Sequence, residues 1–396
     1  MGSIAGESRL FRYDYCLIGV VLLLTLLGLV TLYSASYLFA LNQPDRFASG
    51  LTPITSNIIA SVIMIFAFPI LALIRLDWLN RGGWMIALLI FTILLNVLPF
   101  FPVFQRAAHR PGIDAMRWIV IKSGGRDLLS FQPSELIKVV LPLYLAYILN
   151  KNRDRLTTFF YGPLPPAFWT GVFCFLVLLQ SNFSEAVLIA ATSFVICFVS
   201  GIRLHWFGIA LVILTVASVF LIYGDMEGRW YNRVANFGKQ NLDPDDSGYQ
   251  IILSVDAIKS GGFWGKGMGQ GTVKTRMPEV HGDFVFASYA EESGFLGVLI
   301  YIVLLGIYAF IGYFVALRSN NFFAQLLAFG LVTPVVAQTL MNIAVVADMI
   351  PTTGVPLPFV SSGGSSLLMT LAGAALLVNV TRRHMLSESR EALYAR

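Results

Sequence analysis

"DYCLIGVVLLLTLLGLVTLYSASYLFA", residues 14–40, decides the architecture. After Asp14 it holds no charged residue, and it is longer than the roughly 20 apolar residues that cross a bilayer as a helix. Arg9 and Arg12 precede it, and "SAS" at Ser34–Ser36 resembles a cleavage site. The apolar run before that site is longer than a secretory signal allows, so the segment reads as an uncleaved anchor.

Nine further candidates follow: 56–75, 84–104, 135–149, 166–180, 186–201, 205–223, 284–317, 321–347 and 365–380. The fourth to sixth spans are short, as helices that tilt, break or line a cavity are. The stretch 284–317 is too long for one simple span, so its first turns are expected at the interface or re-entering. The chain has 396 residues, 57% hydrophobic and 12% charged, against about 25% charged in a soluble domain. Mean hydropathy is +0.74. The expected fold is an all-α integral membrane protein of about ten transmembrane helices. A large extracytoplasmic loop, about 224–283, joins spans seven and eight.

Short loops with Arg9 and Arg12, Arg75 and Arg81, "NKNRDR" at 150–155, Arg203, Arg318, and Arg382 with Arg383 fall on one side of a ten-span scheme. The positive-inside rule makes that side cytoplasmic, with both termini there. The expected organisation is a cytoplasmic segment 1–13, a membrane domain 14–380 and a cytoplasmic tail 381–396, whose alternating charges suit a short helix. The outer loop 105–134 breaks the charge rule with Arg106, Arg110, Arg117, Lys122 and Arg126. It reads either as a solvated loop or as an anion site. The net charge of +5 suits anionic lipid and is too modest for nucleic acid. Cys16, Cys174 and Cys197 lie in apolar runs without metal-ligand spacing, and no HExxH-type motif involves the four histidines.

Four segments could carry chemistry. In "FQPSELIK", Pro133 suits the first turn of a helix, with Gln132 or Phe131 before it. Glu135 favours the positive helix end, and Lys138 shares its face. The two form an interfacial ion pair or mark a pathway, where Arg117 beside Trp118 could hold a phosphate by its planar fork and Lys138 would add charge. "GGFWGKGMGQG" is no nucleotide loop, because Gly267 follows Gly265–Lys266 where a Ser or Thr is needed. Its glycines instead let backbone approach a ligand or membrane surface. "MPEVHGDFVFASYAEESG", residues 277–294, gathers Glu279, His281, Asp283, Glu291 and Glu292. Asp283 is either an N-cap or something sharper. "MNIAVVADMIPTTGVPLPFVSSGGSS" places Asn342 in an apolar run and Pro351 in an irregular loop. Gly363 and Gly364 then open the last span, and a closely packed re-entrant loop is expected.

Read together, "FQPSEL.K", "GYQ" at 248–250, "PE.H.DFVFA..AEE.GF.G" from Pro278 and "MNI......P..G.PLPF.S.GGSS" from Met341 resemble the SEDS family (shape, elongation, division and sporulation). "GYQ" and "MNI" lean to its cell-division branch, FtsW; "GVPLPF" and "SGGFWGKG" lean to the rod-elongation branch, RodA; the balance favours the division branch. The resemblance implies a peptidoglycan glycosyltransferase that polymerises lipid II at the division septum or along the lateral wall of the bacterial inner membrane. It implies a class B penicillin-binding protein and other divisome or elongasome membrane proteins as partners. The family's essential acid maps onto Asp283, its Arg-Trp pair onto Arg117 and Trp118, and its acidic-basic pair onto Glu135 and Lys138. Gln132, Ser134, Glu279 and His281 join the expected substrate site. Glu291, Glu292, Asn342, Pro351, Gly363 and Gly364 support it. No organic cofactor is expected; a divalent cation, Mg or Mn, could sit at Asp283 or Glu279. One departure stands out: a "PDLGTA"-like segment reads "SNFSEA" at Ser181–Ala186, with Asn182 for the acid and Glu185 as a partial replacement. A lipid II flippase and a scaffold that activates a transpeptidase are the alternatives.

Overall fold

The computed structural model describes residues 12–42, 53–101, 117–123, 126–223, 237, 247–277 and 280–394. Ten helices fall on the ten expected segments: α1 (Tyr13–Asn42), α2 (Pro53–Leu73), α3 (Gly82–Val97), α4 (Pro133–Lys151), α5 (Leu164–Leu179), α6 (Phe183–Val199), α7 (His205–Tyr223), α9 (Val285–Arg318), α10 (Phe322–Val346) and α11 (Gly364–Tyr394). A further helix, α8 (Ser247–Gly261), lies in the large loop before α9. Among the described residues, α1, α2, α3 (to Phe100), α9, α10 and α11 are long and apolar enough to cross a membrane, and α5 and α6 are shorter apolar helices. Helix α11 runs on past residue 380 without a break.

The chain is an all-α membrane protein with one small β element. Strands β1 (Ile119–Ser123) and β2 (Arg126–Phe131) pair antiparallel, with Ile119 opposite Phe131. That register brings residues 117 and 118 beside the start of α4. Pro133 opens α4 behind an extended Gln132 N-cap, as its fixed φ and missing N–H favour.

Helices α10 and α11 form the middle of the bundle; α10 packs on α4, α6 and α9, and α11 on α2. Helix α2 is mostly exposed, with Ile65, Phe66 and Ile70 turned outward. In a membrane protein such a face meets lipid rather than water. Polar side chains join the helix ends nearest the large loop. Gln180 after α5 donates to the Asn96 carbonyl of α3 at 2.8 Å, and Asn96 donates to the Pro133 carbonyl of α4 at 3.3 Å.

Helix α9 is two pieces. Gly294 has φ 64° and ψ −167°, which breaks the helical path. A short arm, 285–293, precedes the kink and the span 295–318 follows it. The excess length seen in the sequence therefore goes into an arm at the bundle end.

Candidate functional site

Asp283 lies in the turn before the α9 arm, and Phe284 rather than Asp283 is the N-cap. The N-cap reading of Asp283 is therefore replaced. Its backbone is tied down instead. The carbonyls of three successive residues each accept a hydrogen bond: His281 from the Ser362 N–H at 2.8 Å, Gly282 from Ser361 Oγ at 2.7 Å, and Asp283 from Asn342 Nδ2 at 2.7 Å. Asn342 also donates to the Val355 carbonyl at 2.8 Å, so α10 clamps Asp283 and the 347–363 loop together.

That loop is packed as expected, and α2 and α11 hold it. Asn57 of α2 donates to the Ser361 carbonyl at 3.0 Å and accepts from the Gly363 N–H at 3.0 Å. A Cβ on Gly364 would fall 2.7 Å from the Ser56 carbonyl oxygen, so a larger residue there would push α2 away. Gly354 adopts φ 71°, and its Cα faces Asp283: an added Cβ would sit 3.4 Å from Asp283 Oδ2. Glycine thus supplies both the left-handed turn and room beside the carboxylate. Pro351 is half-buried in the same loop.

Lys138 lies one helical turn deeper. Its Nζ is 2.6 Å from Glu135 Oε2 and 3.4 Å from Glu185 Oε1, and it donates to Gln338 Oε1 at 3.2 Å. Both carboxylate contacts are ionic rather than well-aligned hydrogen bonds. Gln338, four residues before Asn342 on α10, donates to the Pro356 carbonyl at 2.8 Å. Ser184 of α6 donates to the Thr353 carbonyl at 2.7 Å. One continuous polar network therefore runs from Asp283 through Asn342, the loop and Gln338 to Lys138. The expected Glu135–Lys138 pair is present, and Glu185 of the departing "SNFSEA" segment completes it from α6. Two carboxylates meet the lysine charge, which suits a tie between α4, α6 and α10 better than a free phosphate ligand. Gln132 Nε2 donates to Ser134 Oγ at 3.0 Å, and Ser134 is buried, so this pair shapes the α4 start.

Arg117 and Trp118 are half-buried. The Arg117 fork donates to the carbonyls of Gln180, at 3.1 Å, and Ser181. These are carbonyls at the α5 C-terminus, where the helix dipole is negative. The fork thus anchors the β hairpin to the α5–α6 turn, three residues before Ser184. His281 is buried, and burial together with nearby Lys274 pulls its imidazole down to about 4, so it is neutral near pH 7.

Glu291 and Glu292 face inward, but they do not touch the Asp283 turn. Glu291 accepts from Lys266 Nζ at 2.7 Å, from the Thr272 N–H and Oγ1 at 2.9 and 2.7 Å, and from the Val273 N–H at 2.9 Å. Glu292 accepts from the Gly269 and Gly271 N–H groups at 2.9 and 3.2 Å, from Ser34 of α1 at 2.8 Å, and from buried Lys274. The inner side of the Gly-rich loop wraps these two carboxylates. Each would be costly to bury without such donors.

Glu279 and residues 105–116 lie outside the described residues. Among the described residues no group of three or more His, Cys, Asp or Glu gathers to hold a metal ion.

A family model described as cell cycle protein, covering FtsW, RodA and SpoVE, matches residues 14–386. The probable peptidoglycan glycosyltransferase FtsW of Borreliella burgdorferi is 34% identical over 374 residues, which covers 93% of this chain and 96% of that protein. The Bacillus subtilis protein of the same name is 33% identical over 401 residues, covering 97% and 94%. Among solved structures, a chain from work on the structural coordination of polymerization and crosslinking by a peptidoglycan synthase complex superposes with a TM-score of 0.73 at 27% identity, covering 94% of this chain and 99% of that one. The rod shape determining protein RodA of Thermus thermophilus gives a TM-score of 0.64 at 26% identity, covering 95% and 98%. With its helix order, its ordered motifs and these likenesses, the chain belongs to the FtsW/RodA/SpoVE family of bacterial multi-pass membrane proteins.

Proposed function

We propose that the chain is a peptidoglycan glycosyltransferase that polymerises lipid II, with Asp283 as general base. The observation that supports the base is the clamp on its backbone: three successive carbonyls, His281 to Asp283, are fixed by Ser362, Ser361 and Asn342. A carboxylate on so fixed a turn, at the bundle end and beside a glycine, is preorganised for proton transfer.

In the reaction, a sugar hydroxyl of one lipid-linked chain attacks the anomeric carbon of another. The new C–O bond forms as the bond to pyrophosphate breaks, and the electron pair leaves on undecaprenyl pyrophosphate. The hydroxyl proton passes to Asp283. A single displacement inverts an α-linked donor into a β-linked glycan. General base catalysis of this kind is worth about 10²–10⁴-fold. Arg117, at the same bundle end, supplies positive charge to the departing pyrophosphate on leaving the Gln180 and Ser181 carbonyls. Lys138 holds the frame beneath. The ten helices on the expected segments, short α5 and α6 included, cross the membrane, with both termini cytoplasmic and the Asp283 end outside, in the inner membrane at the septum. The partner is a class B penicillin-binding protein, a reading supported by the peptidoglycan synthase complex among the structural neighbours.

The test is lipid II turnover by the purified chain with its partner transpeptidase, in detergent without a gradient. Glycan strands are the expected product. Movement of labelled lipid II across vesicles with no polymer would give the protein a flippase role and overturn the reading.

A further inference from the structure

The Gly-rich loop that wraps Glu291 and Glu292 has an outer side. It carries Phe263, Trp264 and Met268, which are 55%, 76% and 52% exposed. The exposure is not a sign of a loose loop. The Gly265 N–H donates to the Gly261 carbonyl at 2.9 Å, and Lys266 and Gly267 donate to the carbonyls of Glu291 and Glu292, each at 3.0 Å. A Cβ on Gly265 would lie 2.1 Å from the Glu292 carbonyl oxygen, so loop and arm meet backbone to backbone.

The same bonding fixes the height of the aromatic tip. Just past the kink, the N–H groups of Phe295 and Leu296 donate to the carbonyls of Gly262 and Phe263, at 2.9 and 3.2 Å. Phe263 stacks on Phe295 at 5.7 Å and meets Trp264 edge-on at 5.1 Å. Phe295 opens the span after Gly294 and is exposed, as are Leu299 and Ile300 one turn on. The tip therefore continues the outward apolar face of α9 at the level where that span begins. Tryptophan with one apolar and one polar edge favours that depth, where lipid headgroups meet hydrocarbon.

We propose that Phe263, Trp264 and Met268, with Phe295, insert into the membrane–water interface. The tip anchors the unit of Gly-rich loop and α9 arm at a set height on the bilayer. The proposal goes beyond the proposed reaction and does not depend on the role of Asp283.

The test places the full chain in nanodiscs of phosphatidylethanolamine and phosphatidylglycerol. Part of the lipid carries a nitroxide at the headgroup, high on the acyl chain or at the chain end. Subtracting the emission of Trp264→Phe from that of the wild type isolates Trp264. The isolated emission should lose most of its intensity to the headgroup and upper-chain nitroxides, less to the chain-end nitroxide, and little to aqueous iodide. Adding Met268→Trp in the Trp264→Phe background should restore the same pattern, which guards against a local effect of one variant. Strong iodide quenching with no lipid quenching would put the tip in water and overturn the proposal. Protection from both quenchers would bury the tip against protein, of the same chain or a second copy in the disc, and overturn it equally.

Discussion

Asn342→Asp changes one atom of the side chain and reverses what it offers. The wild-type amide nitrogen donates to the Asp283 carbonyl at 2.7 Å and to the Val355 carbonyl at 2.8 Å. The aspartate places an acceptor oxygen against both carbonyls. Each buried carbonyl left unpaired costs about 1–3 kcal/mol. Asp283 is only half-buried, so water satisfies part of its share, and we expect a total loss of about 2–4 kcal/mol. Turnover should fall further. If Asp283 shifts by about 1 Å, the cost is on the order of 10²-fold in rate. Because the clamp orients a catalytic group and does not bind the lipid, the fall should sit in kcat, with KM changed little. The assay pairs thermal unfolding in detergent with lipid II polymerisation at saturating substrate. Wild-type turnover in Asn342→Asp, at normal folded yield, would refute the idea that α10 positions the base.

Three further outcomes follow from the same contacts. Lys138→Met strands the buried Glu135 and Glu185 carboxylates, so it should destabilise the fold by about 3–5 kcal/mol; an unchanged melting temperature would remove Lys138 as the tie between α4, α6 and α10. Gly294→Ala forces a side chain into φ 64° and within 2.2 Å of the Gly265 nitrogen, so the 262–274 loop should become the first site of limited proteolysis. His281 takes up its proton near pH 4 in the folded chain against about 6.5 when unfolded. Between those values the unfolded state binds more protons, so stability should fall by up to about 3 kcal/mol as pH drops from 6.5 to 4, then level off; His281→Gln should flatten that slope in a pH series of unfolding midpoints.

The long helices were legible because hydropathy and length act locally. The start of α4 was legible too, since a proline fixes its own φ and the acid and base after it share a face. The excess length of 284–317 set its first turns apart from the span, and the structure adds the kink at Gly294 that separates them. Less legible was what the charges meet. Glu292 binds Ser34 across 258 residues, and Lys138 binds Gln338 across 200. No spacing rule encodes such pairs, because they depend on how the helices pack. The Gly-rich loop was read as letting backbone approach a ligand or membrane surface, and its inner acceptors were hidden for the same reason: Glu291 and Glu292 come from a helix arm whose direction is set by the kink. The β1–β2 hairpin hid in a loop noticed for its positive charge, although "WIVIK" is rich in β-branched residues. Glu185 was seen as a substitute for a missing acid, but its contact with Lys138 needed α6 beside α4. Gln338 carried no local signal at all.

The most direct test of the account is Asp283→Asn, which keeps the shape of the side chain and removes its basicity. The purified variant should fold, melt near the wild-type temperature and bind lipid II with unchanged affinity. Its rate of glycan polymerisation should drop by about 10²–10⁴-fold. A variant that binds lipid II and polymerises it at the wild-type rate would contradict the assignment of Asp283 as the base.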